Sequence, residues 1–203
     1  GAFFGVGKLV WRGEHGLSDE VLLIRSLALC GLVLLNVILW IGPLARLSDR
    51  WAPLLYNRRH LGVTMCVVAL AHAALATGYY GGFSGRNPLV MVLSSGSARS
   101  ISGFPFEWVG LAALLVLVVM AATSHDFWLK NLTPRVWKWL HMLVYGAYGA
   151  IVLHVVLGAL QSERRVGLAA ALFGGATITA VLHGAAAWQG RRRDDREREG
   201  SAG

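Results

Sequence analysis

Charged residues are scarce in this chain, and their scarcity decides its class. Only 15% of the 203 residues are Asp, Glu, Lys or Arg, whereas soluble domains contain about 25%. Hydrophobic residues make up 55% of the chain, and the mean hydropathy is +0.53. The charges that do occur lie between apolar runs and near the end of the chain, as expected when a lipid bilayer excludes them. The composition therefore predicts an integral membrane protein.

Cysteine is almost absent. Cys30 and Cys66 are the two cysteines, both lie inside apolar runs, and neither belongs to a CxxC motif. An iron–sulfur cluster needs four thiolates or two cysteines with two histidines. We therefore expect both cysteines to be packing residues, without a disulfide or a cluster.

Nucleotide-binding motifs are also missing. The sequence has no GxGxxG after a predicted strand and no soluble segment large enough for a flavin or nicotinamide domain. The net charge is +8, but the basic residues are not interleaved with aromatic residues on a soluble module. Nucleic-acid binding is therefore not expected. Because a flavin or nicotinamide domain is missing from the sequence, any electrons that the protein transfers must come from a partner.

Five apolar runs are long enough to cross a bilayer, alone or with their flanks. They cover residues 21–41, 61–80, 108–122, 137–160 and 168–188, and the short third run is expected to recruit the FPFE segment before it. The apolar start, residues 1–11, is interpreted as the end of a sixth helix or as an interfacial segment, and residues 87–93 as a short interfacial helix. We predict an all-α polytopic membrane helical bundle over residues 1–188, followed by a charged tail, 189–203, that is solvated or disordered.

The distribution of basic residues predicts the orientation. Twelve of the 19 Lys and Arg residues collect on one side of the predicted spans and the tail lies with them. By the positive-inside rule this side is cytoplasmic. The expected location is the inner membrane of a bacterium. The second and fourth spans then run parallel, since one span separates them.

These two parallel spans carry four histidines at matching heights. His141 and His154 lie thirteen residues apart in the fourth span, and His60 and His72 lie twelve apart at the mouth of the second span and within it. The separations correspond to ~20 Å and ~18 Å of helix. Ionisable residues inside membranes usually face the bundle interior with a partner, and a six-coordinate haem needs two imidazoles from different helices. We therefore predict two bis-histidine haems, one between His60 and His141 and one between His72 and His154.

Some assignments stay open at the sequence level. His183 competes with His60 for the cytoplasmic haem, although we interpret it as a core histidine, and His125 is interpreted as an interfacial residue. Arg58, Arg59, Arg135 and Lys138 are expected at the cytoplasmic mouth, where they would either bind the haem propionates or supply the ordinary positive-inside charge.

Three segments carry a resemblance to a known family. NRRHLG with a histidine ten residues after its glycine, TSHDFW at a helix end, and WKWLHMLVY with a second histidine thirteen residues on resemble the ferric reductase-like transmembrane domain. Within it, the chain is similar to haem-binding membrane subunits of methionine sulfoxide reductase systems and to proteins joined to Rieske modules. The resemblance implies about six spans, b-type haem and electron transfer across a membrane. His60 is usually not histidine in the sulfoxide reductase subunits, so the resemblance leaves one or two haems.

The functional expectation is a transmembrane b-type cytochrome, the electron-transfer subunit of an oxidoreductase. The donor would be a quinol, a flavoprotein or a Rieske-type partner in a larger complex. One alternative is a haem-bearing anchor subunit of a respiratory or photosynthetic complex. Another is a proton or metal-ion transporter that uses the histidines, although acidic residues are essentially absent from the spans.

Overall fold

The computed structural model describes residues 18–82, 106–158, 160 and 166–201. These residues form helices and contain no strand, which confirms the predicted all-α class. The helices are α1 (Asp19–Leu47), α2 (Leu54–Gly82), α3 (Phe106–Ala122), α4 (Asp126–Asn131), α5 (Pro134–Leu157) and α6 (Val166–Ser201), with a 3₁₀ turn at Asp49–Trp51.

Four of these helices, α1, α2, α5 and α6, are long and apolar enough to cross a membrane. The third predicted span corresponds to α3, which has 17 residues and a length of about 25 Å, near the ~30 Å of a hydrocarbon core. The predicted segments at 1–11 and 87–93 lie outside the described residues, as do the first two residues of the FPFE segment.

The end of α1 and the start of α2 lie several residues from their predicted positions. The predicted end of the first span at residue 41, before Gly42 and Pro43, is wrong, because α1 continues to Leu47 with Pro43 inside it. A proline near a helix end removes one hydrogen bond and leaves the remaining turns intact. Helix α2 begins at Leu54, directly after Pro53, seven residues earlier than predicted. His60 therefore lies in the second turn of α2, and its predicted place at the helix mouth is wrong.

The charged tail is a continuation of α6. Residues 190–200 are exposed, as expected of a solvated tail, but they are helical up to Ser201. Arginine and glutamate are good helix formers, and their spacing allows opposite charges at i and i+4. The division between a membrane domain ending at 188 and a separate tail remains a prediction.

The described chain divides into two compact units. The first comprises Gly1–Leu32 and Val63–Arg165, and the second comprises Val33–Gly62 and Val166–Gly203. Within the first unit, the start of α1 runs antiparallel to the end of α2, and α3 packs along α5. Within the second unit, the later part of α1 lies along α6, where Trp40 donates a 2.8 Å hydrogen bond to Thr179.

The buried side chains are mostly aliphatic. Leu35, Leu39 and Leu172 are at most 1% exposed, all within the second unit. Cys30 and Cys66 are buried and free, which confirms their interpretation as packing residues. Large apolar side chains on the spans are often exposed, as expected where lipid replaces water as the solvent.

Candidate functional site

His154 lies in the last turn of α5, where that helix meets the start of α3. Its Nδ1 is 2.8 Å from the main-chain oxygen of Phe106, in the first turn of α3. The imidazole crosses α3 over Gly110: a Cβ built there would lie 2.7 Å from both Nδ1 and Cε1. Only a residue without a side chain lets the ring reach the carbonyl of the preceding turn.

The same contact is repeated in the opposite direction. The Phe106 ring packs over Gly158, the C-cap of α5, where a Cβ would lie 2.8 Å from two ring carbons. The Phe106 and His154 rings also touch, with centroids 5.4 Å apart and planes inclined at 49°. Each helix thus offers a ring and, four residues further on, a glycine that accepts the other ring.

His72, also in the first unit, is held in a similar way. Its Nδ1 is 3.0 Å from the main-chain oxygen of Ile24 in α1. A carbonyl oxygen only accepts hydrogen bonds, so Nδ1 must carry the proton in both His72 and His154. In a neutral imidazole the lone pair then lies on Nε2, the nitrogen available to a metal.

His72 and His154 belong to the same unit. Both side chains are half-buried. Each ring is held by a carbonyl from a different neighbouring helix, and the pairing of the two histidines on one haem stays a prediction.

His141 is held within its own helix. Its Nδ1 is 3.0 Å from the oxygen of Trp137, and the two rings stack with centroids 4.0 Å apart. The Nε1 of Trp137 is buried and has no hydrogen-bond partner among the described residues. A buried donor without an acceptor is costly, so this N–H is a candidate contact for a bound group.

The second predicted pair is divided between the two units. His141 belongs to the first unit, whereas His60 belongs to the second, in which it is exposed. The pairing of His60 with His141 therefore stays a prediction. The competing residue, His183, also lies in the second unit, where its Nδ1 is 2.9 Å from the oxygen of Thr179.

His125 has the opposite hydrogen-bonding pattern. It is the N-cap of α4, and its Nδ1 accepts a hydrogen bond from the Phe127 N–H at 3.2 Å. In the neutral ring the proton is then on Nε2. The interpretation of His125 as an interfacial residue stays a prediction.

The four candidate propionate ligands are found near the starts of two helices. Arg58 is partly buried, and its Nη1 lies 3.6 Å from the position of a Cβ on Gly42. Arg59 in α2 and Arg135 and Lys138 in α5 are exposed. Arg58 and Arg59 belong to the second unit, and Arg135 and Lys138 belong to the first. The convergence of all four side chains on one haem therefore stays a prediction.

The donor set suits a porphyrin metal better than a bare ion. The described residues contain no group of three or more His, Cys, Asp or Glu side chains that could hold a metal ion. Haem iron needs only axial ligands from the protein, because the macrocycle supplies the other donors. A pair of histidines is sufficient for haem and insufficient for a typical zinc site.

The residues that hold His154 were missed in the sequence analysis. Phe106 and Gly110 are four residues apart, as are His154 and Gly158, so both helices carry an aromatic-xxx-Gly pattern. That pattern is a detectable signal for helix contact, but it does not tell which glycine accepts which ring. The partner of His72 is a main-chain oxygen, which no side-chain motif encodes.

Fold and site together define a polytopic α-helical membrane protein with a histidine pair supported by neighbouring helices. The family model for the ferric reductase like transmembrane component matches residues 27–157. The chain belongs to this family, which confirms the predicted membership.

Three similar curated proteins carry the same name, protein-methionine-sulfoxide reductase heme-binding subunit MsrQ. The protein from Ralstonia nicotianae is 32% identical over 142 residues, which are 70% of this chain and 60% of the relative. The one from Polaromonas naphthalenivorans is 28% identical over 71% of this chain and 61% of the relative. The one from Caulobacter vibrioides is 31% identical over 94% of this chain and 84% of the relative.

The matched part of the chain spans about 60% of the length of the Ralstonia and Polaromonas relatives. No solved structure matches the chain.

Proposed function

We propose that this chain is a transmembrane haem-binding subunit that relays electrons across the bilayer, with His72 and His154 as the axial ligands of a b-type haem. The observation that carries the proposal is the pair of interhelical hydrogen bonds, from His72 to the Ile24 oxygen and from His154 to the Phe106 oxygen. The relatives named above, which are called heme-binding subunits, support it.

The hydrogen bonds suit the proposed role because of what they do to an imidazole. Metal-binding histidines nearly always donate their second ring N–H to a carbonyl or carboxylate, which fixes the tautomer and raises the basicity of the ligand nitrogen. Both bonds here run between helices and are not the local i−4 bond that any helical histidine can form. They fix the direction of each ring relative to the fold.

Haem with two axial histidines supplies one-electron transfer and offers no open position for oxygen or a substrate. The role of the chain's own residues would be to bind this haem and to orient it. His72 and His154 anchor the group from two helices, the Ile24 and Phe106 carbonyls hold the ring nitrogens, and Gly110 admits the His154 ring. The proposal is therefore a relay and not a site of substrate chemistry.

A second b-type haem between His60 and His141 is part of the proposal. The unpartnered Trp137 N–H beside His141 is a donor that a propionate could accept from. Arg58, Arg59, Arg135 and Lys138 are the proposed cationic partners of the propionates. A single haem, or a ligand role for His183 in place of His60, is the alternative arrangement.

The relay needs a donor and an acceptor outside this chain. We propose a quinol, a flavoprotein or a Rieske-type protein as the redox partner, within a larger complex. The relatives' name, a subunit of protein-methionine-sulfoxide reductase, favours a partner oxidoreductase over an independent role. The proposed location is the cytoplasmic membrane of a bacterium, with the basic end of α6 on the cytoplasmic side.

The test is the haem content per chain, measured by extraction, with oxidised and dithionite-reduced spectra of the protein purified in detergent. The chain should contain two b-type haems, one of which is lost in His72→Ala and in His154→Ala. His60→Ala and His141→Ala should each remove the other. The matched control is His125→Ala, which removes a histidine with a capping role and should leave the haem content unchanged.

The outcomes separate the arrangements. A chain with one haem, which is lost in His72→Ala or His154→Ala and kept in His60→Ala, would reduce the proposal to a single-haem relay. Loss of the cytoplasmic haem in His183→Ala, with His60→Ala unaffected, would reassign that ligand. A wild-type chain without haem would refute the proposed function.

A further inference from the structure

A basic cavity lies in the second unit, between the end of α1 and the later part of α6. Its volume is about 450 Å³, and Arg192, Arg193 and Arg196 line it together with Trp188 and Leu47. This volume is within the range of small-molecule sites, roughly 300–1,000 Å³. The cavity takes no part in the proposed haem site.

The arginines that line the cavity belong to one face of α6. The lining residues of this helix, from Ala185 through Gln189 to Arg196, recur at steps of three and four, so their side chains point the same way. The guanidinium carbon of Arg192 lies 3.7 Å from the centroid of the Trp188 ring. This cation–π contact holds one guanidinium at the wall of the cavity.

The charged side chains that line the cavity are all positive. Three arginines line it, and the described lining residues include no carboxylate, although Asp194 and Asp195 are their neighbours in the chain. Gln189 adds a side-chain amide whose Oε1 is buried without a partner among the described residues, and an amide can turn its N–H groups toward an anion. The matching ligand is therefore an anion with several acceptor oxygens.

The position of the cavity specifies the kind of anion. The apolar part of α6 ends at Trp188, and the charged run begins at Arg191. Tryptophan at such a junction is typical of the membrane–water interface. Leu47 and Ala185 supply an apolar wall beside the arginines, and guanidinium groups bind phosphate oxygens bidentately. Ordinary positive-inside charge requires neither a cavity nor a stacked guanidinium.

We propose that this cavity binds the phosphate headgroup of an anionic phospholipid from the leaflet at the basic end of α6. The phosphate contacts Arg192, Arg193 and Arg196, and the glycerol and upper acyl chain lie against Leu47 and Ala185. The inference does not depend on haem binding.

The test is native mass spectrometry of the full purified chain titrated with phosphatidylglycerol, phosphatidylcholine or inorganic phosphate. The variant R192Q/R196Q removes two charges from the cavity, and R191Q/R198Q removes two charges from the same segment outside it. The first variant should weaken phosphatidylglycerol binding by roughly tenfold to thirtyfold, the loss expected for two arginines at an anionic surface. The second should stay within about twofold of the wild type, and R192K/R196K should fall between them because lysine keeps the charge but not the bidentate geometry.

Three results would overturn the proposal. Equal loss in the two glutamine variants would mean that only the total charge matters. Equal binding of phosphatidylcholine would show that the net charge of the lipid does not matter. Displacement of the lipid by millimolar inorganic phosphate would identify a simple anion site. If R192Q/R196Q fails to fold by circular dichroism, the lysine variant alone decides: binding equal to the wild type would refute the bidentate contact.

Discussion

Replacing Gly110 by alanine tests the geometry of the proposed haem ligand most directly. A Cβ at this position would lie 2.7 Å from Nδ1 and Cε1 of His154 and 3.2 Å from Cγ. Carbon atoms in contact prefer about 3.5–4.0 Å, so the overlap with the ring is roughly 1 Å. The ring cannot move away by that amount and keep its 2.8 Å hydrogen bond to the Phe106 oxygen.

The expected cost has two parts. Overpacking of a tight contact costs about 1–3 kcal/mol, and the loss of a hydrogen bond costs about 0.5–1.5 kcal/mol. Against this, alanine is a better helix former than glycine by about 1 kcal/mol. We therefore expect Gly110→Ala to lower the free energy of unfolding by about 1–3 kcal/mol and to alter the environment of His154.

The matched control is Gly149→Ala on α5, the helix that carries His154. A Cβ at Gly149 meets no atom within 4 Å, so this variant should be neutral or slightly stabilising. The assays are haem content, the reduction midpoint potential and the electron paramagnetic resonance spectrum, which senses the orientation of an axial imidazole. A purely structural defect would change stability without changing the spectrum or potential of the haem that stays bound.

The reasoning would be refuted by a Gly110→Ala protein with wild-type haem content, potential and spectrum, since the His154 ring would then not depend on the glycine. Absence of haem from the wild type would be a different result. It would refute the haem proposal but leave the steric conflict intact, and the loss of stability in Gly110→Ala would still be expected.

Two further predictions concern stability. Thr179→Val leaves the part-buried Trp40 N–H without its acceptor and should lower the free energy of unfolding by about 1 kcal/mol, measured by thermal melting in detergent. The control Thr177→Val removes an exposed hydroxyl bonded to its own helix, and an equal loss of stability there would contradict the argument. Extraction of haem should lower the melting midpoint, and added haem should restore it. The reason is that a ligand at 100 times its Kd stabilises the folded state by about 2.7 kcal/mol. An unchanged midpoint would mean that the haem is not bound within the fold.

The spans were predictable because their signal is a property of composition. A long apolar run is recognised even when its predicted ends are wrong by a few residues, and each predicted span corresponds to a helix. The boundaries were less predictable at Pro43 and at Leu54. Whether a proline ends a helix or is tolerated depends on the packing of the turns around it, which the local sequence does not contain.

The site was predictable only in part. Histidines in an apolar run are unusual enough to identify His72 and His154 as functional candidates from the sequence. Their supporting contacts were not predictable, because the Phe106 and Ile24 oxygens are main-chain atoms and Gly110 is marked by the absence of a side chain. Such contacts depend on how the helices pack against one another, and the local sequence does not contain that information.

Polar side chains are accommodated beside glycine in both compact units, and the comparison explains why the His154 site is proposed to hold a cofactor and the Asn36 site is not. In the first unit His154 lies over Gly110, and in the second Asn36 lies over Gly175, where a Cβ would approach within 2.8 Å. Since lipid offers no hydrogen bonds, each such group needs a partner inside the protein. The Asn36 cluster satisfies this need by itself, because the Thr179 hydroxyl links Asn36, Trp40 and the Gly175 oxygen. A histidine bonded through Nδ1 still has the Nε2 lone pair to offer, and the proposed haem needs two such nitrogens as its donor set.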